Sequence, residues 1–91
     1  MQDRTSEIKD YLALVKVEPT DGYHLISTFN NGVVKDFDCN YLLKIDYFKP
    51  LENRGIFNKA FANLGGVVWT DEIDLAMEEV YEKGVTISGV D

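Results

Sequence analysis

The sequence predicts an α+β fold: an antiparallel meander of about five short strands with short helices and a C-terminal amphipathic helix. Three observations carry the prediction. Tyr23, Leu25, Ser27 and Phe29 alternate with His24, Ile26 and Thr28, the period-two signature of a strand. Asn31-Gly32 follows and is a strong hairpin signal, because a type I′ turn needs positive φ at both central positions. Ile73, Ala76, Met77, Val80 and Tyr81 recur at helical spacing, with Glu78, Glu79 and Glu82 pointing elsewhere.

In chain order, residues 1–10 are polar and without period, and read as a tail or a short helix. Residues 11–84 read as one α+β domain. It opens with a strand from Tyr11 to Glu18, in which Ala13, Val15 and Val17 share a face opposite Lys16 and Glu18. Pro19-Thr20-Asp21-Gly22 is a turn by composition. The hairpin follows. With Asn31-Gly32 as its two-residue loop, Phe29 opposes Val34, Thr28 opposes Lys35, Ile26 opposes Phe37 and His24 opposes Cys39. The third pair puts apolar groups on the face expected to be wet, so that face is covered at its far end or a bulge shifts the register.

Asp38 is placed to cap a short helix from Cys39 to Lys44. Pro50 sets Tyr47, Phe48 and Leu51 in a second helical turn or an extended corner. The stretch from Phe57 to Leu64 alternates loosely, and Gly65-Gly66 turns it back into Val67-Val68-Trp69 as a second hairpin. The last helix ends at Lys83-Gly84, with Gly84 expected in the left-handed cap conformation. Residues 85–91 are a tail or an edge strand through Val85 and Ile87.

Composition bounds the function. Ninety-one residues hold one small domain, and 45% hydrophobic residues with five Phe, five Tyr and one Trp suffice for a packed core. No apolar stretch reaches the roughly 20 residues of a membrane span, and the opening residues lack the apolar segment of a signal peptide. With Cys39 the one cysteine, no internal disulfide forms, and a cytoplasmic location is the simple reading. Nine basic against sixteen acidic residues give a net charge of −7, which opposes nucleic-acid binding. Six acids and one lysine fall between Asp71 and Lys83. That run suits a solvated helix face, with a basic protein partner as the sharper alternative.

The chemistry-bearing residues are few. His24 and Cys39, set opposite each other by the two-residue loop, would form a thiolate–imidazolium pair at a helix start, the core of cysteine-dependent nucleophilic catalysis. A packed thiol and a rim imidazole are the plainer outcome, and no third residue is fixed to orient the imidazole. One His and one Cys do not make a structural zinc site. Asp71-Glu72-x-Asp74 lacks the spacing of a calcium loop and fits a helix-start turn better. Gly65-Gly66 leads to neither a helix nor a Lys, so it is not a phosphate loop. Tyr23, Phe29, Phe48, Phe57, Phe61 and Trp69 lack interleaved basic residues and read as core, not as base-stacking platforms. No catalytic, cofactor or metal residue is therefore assigned.

Several landmarks recur in order: Tyr23-His24-Leu25 to Phe29-x-Asn31-Gly32, Phe37-Asp38, Phe48-x-x-Leu51, Phe57, Trp69, Ile73-Asp74-Leu75 and Val80-Tyr81. In this order and spacing, over Tyr11 to Gly84, the chain resembles the bacterial domain-of-unknown-function family numbered 2442. The resemblance implies a small α+β domain with a strand meander and a closing helix after the Trp strand. It implies no activity, cofactor or catalytic residue. Some relatives carry a helix-turn-helix segment after this domain, for which a chain stopping at Asp91 is not expected to have room. Genes of this kind often neighbour another small uncharacterised gene, which implies an antitoxin-like role. Where relatives start the last helix with Asp or Ser followed by Pro, this chain has Ala76-Met77, so the helix is expected to start back at Asp74.

The expectation is thus a non-enzymatic protein-interaction module, an antitoxin-like partner of a neighbouring gene product. The alternative is a small enzyme or ligand sensor using the His24/Cys39 region. Edge strands and an apolar second sheet face leave a homodimer open.

Overall fold

The computed structural model describes residues 11–89; the expectations for residues 1–10, 90 and 91 lie outside it. Seven strands form two antiparallel sheets, with short helices between and after them. The first sheet holds β1 (Leu14–Pro19), β2 (His24–Phe29), β3 (Val34–Asp38) and β7 (Val85–Ser88), in the order β1-β2-β3-β7. The second holds β4 (Phe61–Asn63), β5 (Gly66–Thr70) and β6 (Ile73–Ala76) in sequential order.

The β2–β3 hairpin forms where expected, but its loop has three residues rather than two. Gly32 N–H donates to the Phe29 carbonyl (3.0 Å), and Phe29 N–H donates to the Val33 carbonyl (2.9 Å). Asn31 Oδ1 accepts from Val33 N–H (3.0 Å), an Asx turn that holds Asn31 inside the loop. Gly32 alone of the two takes positive φ, +89°, as in a type I turn closed by a glycine bulge. One added loop residue moves the register by one, so every expected pair is corrected. Leu25 pairs with Phe37, Ile26 with Asp36, Ser27 with Lys35, Thr28 with Val34 and His24 with Asp38. The slip removes the conflict that the two-residue loop created. Leu25, Phe29, Val33 and Phe37 now share a buried face, while Ile26, Thr28, Val34 and Asp36 share the opposite, half-exposed one.

The same shift buries Lys35, expected on the wet face; it is 6% exposed, with Nζ 4.4 Å from the Tyr81 ring centroid. A bulge between Leu14 and Lys16 corrects β1 in the same way, leaving Val15 exposed while Ala13 and Leu14 are buried. Asn30 extends that ladder beyond the strand. Its N–H donates to the Ala13 carbonyl (2.9 Å), its Oδ1 accepts from Ala13 N–H (3.0 Å), and its Nδ2 donates to the Tyr11 carbonyl (2.6 Å).

After β3 the chain makes two 3-10 helices, Asn40–Lys44 and Asp46–Glu52, the second containing Pro50, and then one helical turn, α1 (Arg54–Phe57). The first starts one residue later than expected, with Cys39 rather than Asp38 at its N-cap and no side-chain cap; Asp38 Oδ1 accepts instead from Asn40 N–H (2.8 Å), an Asx turn leading into it. These helical turns place Leu42, Phe48, Leu51 and Phe57 in the core, with the Phe48 and Phe57 rings 6.3 Å and 6.2 Å from that of Trp69. The second hairpin, β4–β5, forms around Leu64-Gly65. The final helix, α2 (Met77–Lys83), is shorter than its pattern: Ile73 to Ala76 are extended as β6, so it starts at Met77 and not at Asp74. Pairing with β5 outweighs the helical periodicity there. Gly84 is extended (φ −71°), not left-handed; glycine fits because a Cβ would lie 2.7 Å from the Val80 carbonyl oxygen and 2.9 Å from Lys35 Cβ.

Both sheets, the 3-10 turns and α2 meet in one core: Leu14, Leu25, Phe29, Phe37 and Cys39 from the first sheet and its end, Val67, Trp69 and Ile73 from the second, and Val80 from α2. Each fully buried Phe or Leu adds about 2 kcal/mol of transfer free energy. The edges of the two sheets are joined where Leu14 N–H donates to the Leu64 carbonyl (3.1 Å).

Candidate functional site

Sequence reasoning singled out His24 and Cys39, and the structure separates them. Cys39 sits just past β3, with its N–H donating to the Tyr23 carbonyl (2.8 Å), and its side chain is buried in the core. Burial, and secondarily the negative charge of Asp38, pushes its thiol well above the ordinary range, the opposite of what a nucleophilic cysteine needs.

His24 lies instead on the outer face of the first sheet, between two carboxylates on the neighbouring strand. Its Nδ1 donates to Asp36 Oδ1 at 2.7 Å, and its Nε2 stands 3.6 Å from Asp38 Oδ1. Because β2 pairs His24 with Asp38, the residue two positions back on β3, Asp36, falls on the same face within side-chain reach. Asp38 is held below the ordinary carboxylate range, first by the Asn40 backbone N–H, then by the Asn40 side chain, with His24 a smaller contributor and burial opposing. Both ring nitrogens face carboxylates, so the imidazole is engaged on the surface by the neighbouring strand. Ser27 is no nucleophile for it, being buried on the other face with its hydroxyl donating to the Leu25 carbonyl (3.2 Å). Among the described residues, no three His, Cys, Asp or Glu side chains converge as a metal site.

What surrounds His24 is a broad, mixed surface. The register aligns Glu18, Ile26, Asp36 and Val85 in one cross-strand row, and Lys16, Thr28, Val34 and Ser88 in the next. Lys16 pairs with Glu18 (3.2 Å) on this face. Val85 at the β7 edge is 66% exposed and Ile87 55%. The helical turns and α2 bury their side chains on the opposite face. Sequence reading set Ile26 on this face but put Phe37 and Lys35 there with it; the register replaces them with Asp36 and Val34, and the conflict in the Ile26–Phe37 pairing was the signal.

The exposed tyrosines are staples. Tyr41 O–H donates to Glu79 Oε2 (2.5 Å), and Tyr47 O–H donates to the Glu72 carbonyl (2.6 Å), tying the 3-10 helices to the C-terminal third. Burial, then the Glu79 carboxylate, raises the Tyr41 phenol above its usual range. Tyr23, the one described non-glycine residue at positive φ (+64°), donates to the Glu52 carbonyl, lies under the Arg54 guanidinium and meets Phe57 edge-on at 5.0 Å. These contacts offset the cost of roughly 1 kcal/mol of a left-handed non-glycine residue.

Two open depressions lie elsewhere, and neither is lined by His24 or Cys39. One, of about 450 Å³, is over β5 and β6; the other, of about 260 Å³, is between Leu12, Leu64 and Met77. No described helix is long and apolar enough to cross a membrane. The family model described as protein of unknown function (DUF2442) matches residues 14–86, from the first strand into the last. No curated protein and no solved structure matches the chain.

Proposed function

The chain belongs to that DUF2442 family, and from this premise we propose that it is a non-enzymatic protein-interaction module acting in the cytoplasm, an antitoxin-like partner of a neighbouring gene product. The observation that carries the reading is the outer face of the first sheet, where Ile26, Val34 and Val85 stand among Glu18, Asp36 and Asp38. A face mixing apolar anchors with orienting charges suits a protein partner. The split of the His24/Cys39 pair supports the non-enzymatic half, since the thiol is in the core and the imidazole on the surface. The carboxylates disfavour a nucleic-acid partner. They also favour a basic partner over a second copy of this chain, which itself carries a net charge of −7.

Co-expression with the product of the adjacent gene, followed by affinity capture and gel filtration, tests this. The two chains are expected to co-elute, and Ile26→Lys with Val34→Lys is expected to separate them without changing the circular-dichroism spectrum. A wild-type chain that elutes alone would count against the reading.

A further inference from the structure

The Leu64-Gly65 turn between β4 and β5 stands between the two depressions, which share Gly65. Over the outer face of the second sheet the register lines up Asn63, Gly66 and Ala76 in one row and Phe61, Val68 and Asp74 in the next. The first row is low because Gly66 has no room for a side chain: a Cβ would sit 2.0 Å from the Leu75 carbonyl oxygen. The second row rises beside it, making a trough. Across the turn, the smaller depression is walled by Leu64 and Met77 and has Glu78 in its lining. Leu64 is 63% exposed and Phe61 53%. The turn is nonetheless anchored, since the Leu64 carbonyl accepts from Leu14 N–H (3.1 Å) and the Gly65 carbonyl from Met77 N–H (2.9 Å). An exposed Leu on an anchored turn is a ready-made contact point.

Charge selects the occupant. No Lys or Arg lines either depression, while Asp74 and Glu78 line one each. Asp74 Oδ1 lies 3.1 Å from the Tyr47 hydroxyl, whose proton goes to the nearer Glu72 carbonyl (2.6 Å), and keeps capacity for further donors. A second copy carries the same net charge of −7 and so meets these carboxylates with like charge. We propose that this turn docks a segment of a different protein in which apolar side chains, seated against Leu64 and the trough, are flanked by Lys or Arg reaching Asp74 and Glu78. The apolar contact supplies the affinity, and the charge pairs supply orientation and association rate. This site is separate from the outer face of the first sheet.

The test titrates the isotope-labelled full chain with three short synthetic peptides, followed by amide chemical shifts: Lys alternating with Leu, Lys alternating with Ser, and Glu alternating with Leu. Only the first is expected to give saturable shifts, centred on Gly65, Gly66, Leu75, Ala76 and Met77. Leu64→Lys, an exposed position whose spectrum reports its own folding, is expected to weaken that peptide about tenfold or more. Asp74→Asn with Glu78→Gln is expected to flatten its salt dependence. Equal binding by the serine peptide, binding by the acidic peptide, or no saturable binding would overturn the proposal. Shifts centred on Ile26 and Val34 would overturn it while leaving the sheet-face reading standing.

Discussion

The two faces of the β2–β3 hairpin come from alternate residues of the same two strands, yet they behave as different materials. The inner face carries Leu25, Ser27, Phe29 and Phe37, each no more than 1% exposed. The outer face carries His24, Ile26, Thr28, Val34 and Asp36, all half-buried, with the His24–Asp36 hydrogen bond open to water. Cys39 and His24 differ in the same way: the group with reactive potential is sealed, and the accessible group is tied to carboxylates. Accessibility, more than residue type, decides what each can do.

The largest expected effect tests the sealed face. Phe37→Ala should destabilise by about 3–5 kcal/mol in urea or thermal unfolding, since it removes a wholly buried ring from a packed core. Ile26→Ala, one residue over on the partner strand, should cost under about 1 kcal/mol. Similar losses at the two positions would erase the contrast between the faces.

Thiol reactivity sharpens the comparison next. Iodoacetamide should leave Cys39 unmodified in the native protein from about pH 6 to 9 and modify it fully after denaturation, because burial disfavours the thiolate. Native-state alkylation with an inflection near or below the free-thiol value of about 8.5 would contradict it.

The smallest effect belongs to the open face. Asp38 is held below its ordinary pKa, so it stabilises the fold fully above the unfolded value of about 3.9, and that contribution is lost as pH falls through the folded pKa. Its side chain is 59% exposed, so Asp38→Asn should cost no more than about 0.5 kcal/mol at neutral pH. The difference from wild type should shrink toward zero in acid, as read from urea midpoints at several pH values; a difference that grows in acid would reverse the sign.

Much of the fold was legible. The alternation from Tyr23 to Phe29, a second hairpin near Gly65 and a closing C-terminal helix each rest on local chemistry, and each is present, although that hairpin turns at Leu64-Gly65 and not at Gly65-Gly66. What failed was register and extent. Asn31-Gly32 marked a turn but not its length, because Asn31 Oδ1 bonding to Val33 N–H is as local as the two-residue loop it displaced. Ile73 to Ala76 fit a helix by spacing and became a strand because β5 was there to pair with. The candidate site suffered most, since one added loop residue moved His24 from opposite Cys39 to opposite Asp38.

By itself the sequence determined the fold class, the acidic balance and the scarcity of reactive groups, all of which follow from composition and from patterns within one element. Only the tertiary structure decided which side of the sheet each residue occupies and which strands find partners. Those outcomes depend on pairings between distant segments, and in a period-two element a single-residue shift exchanges the buried set for the exposed one.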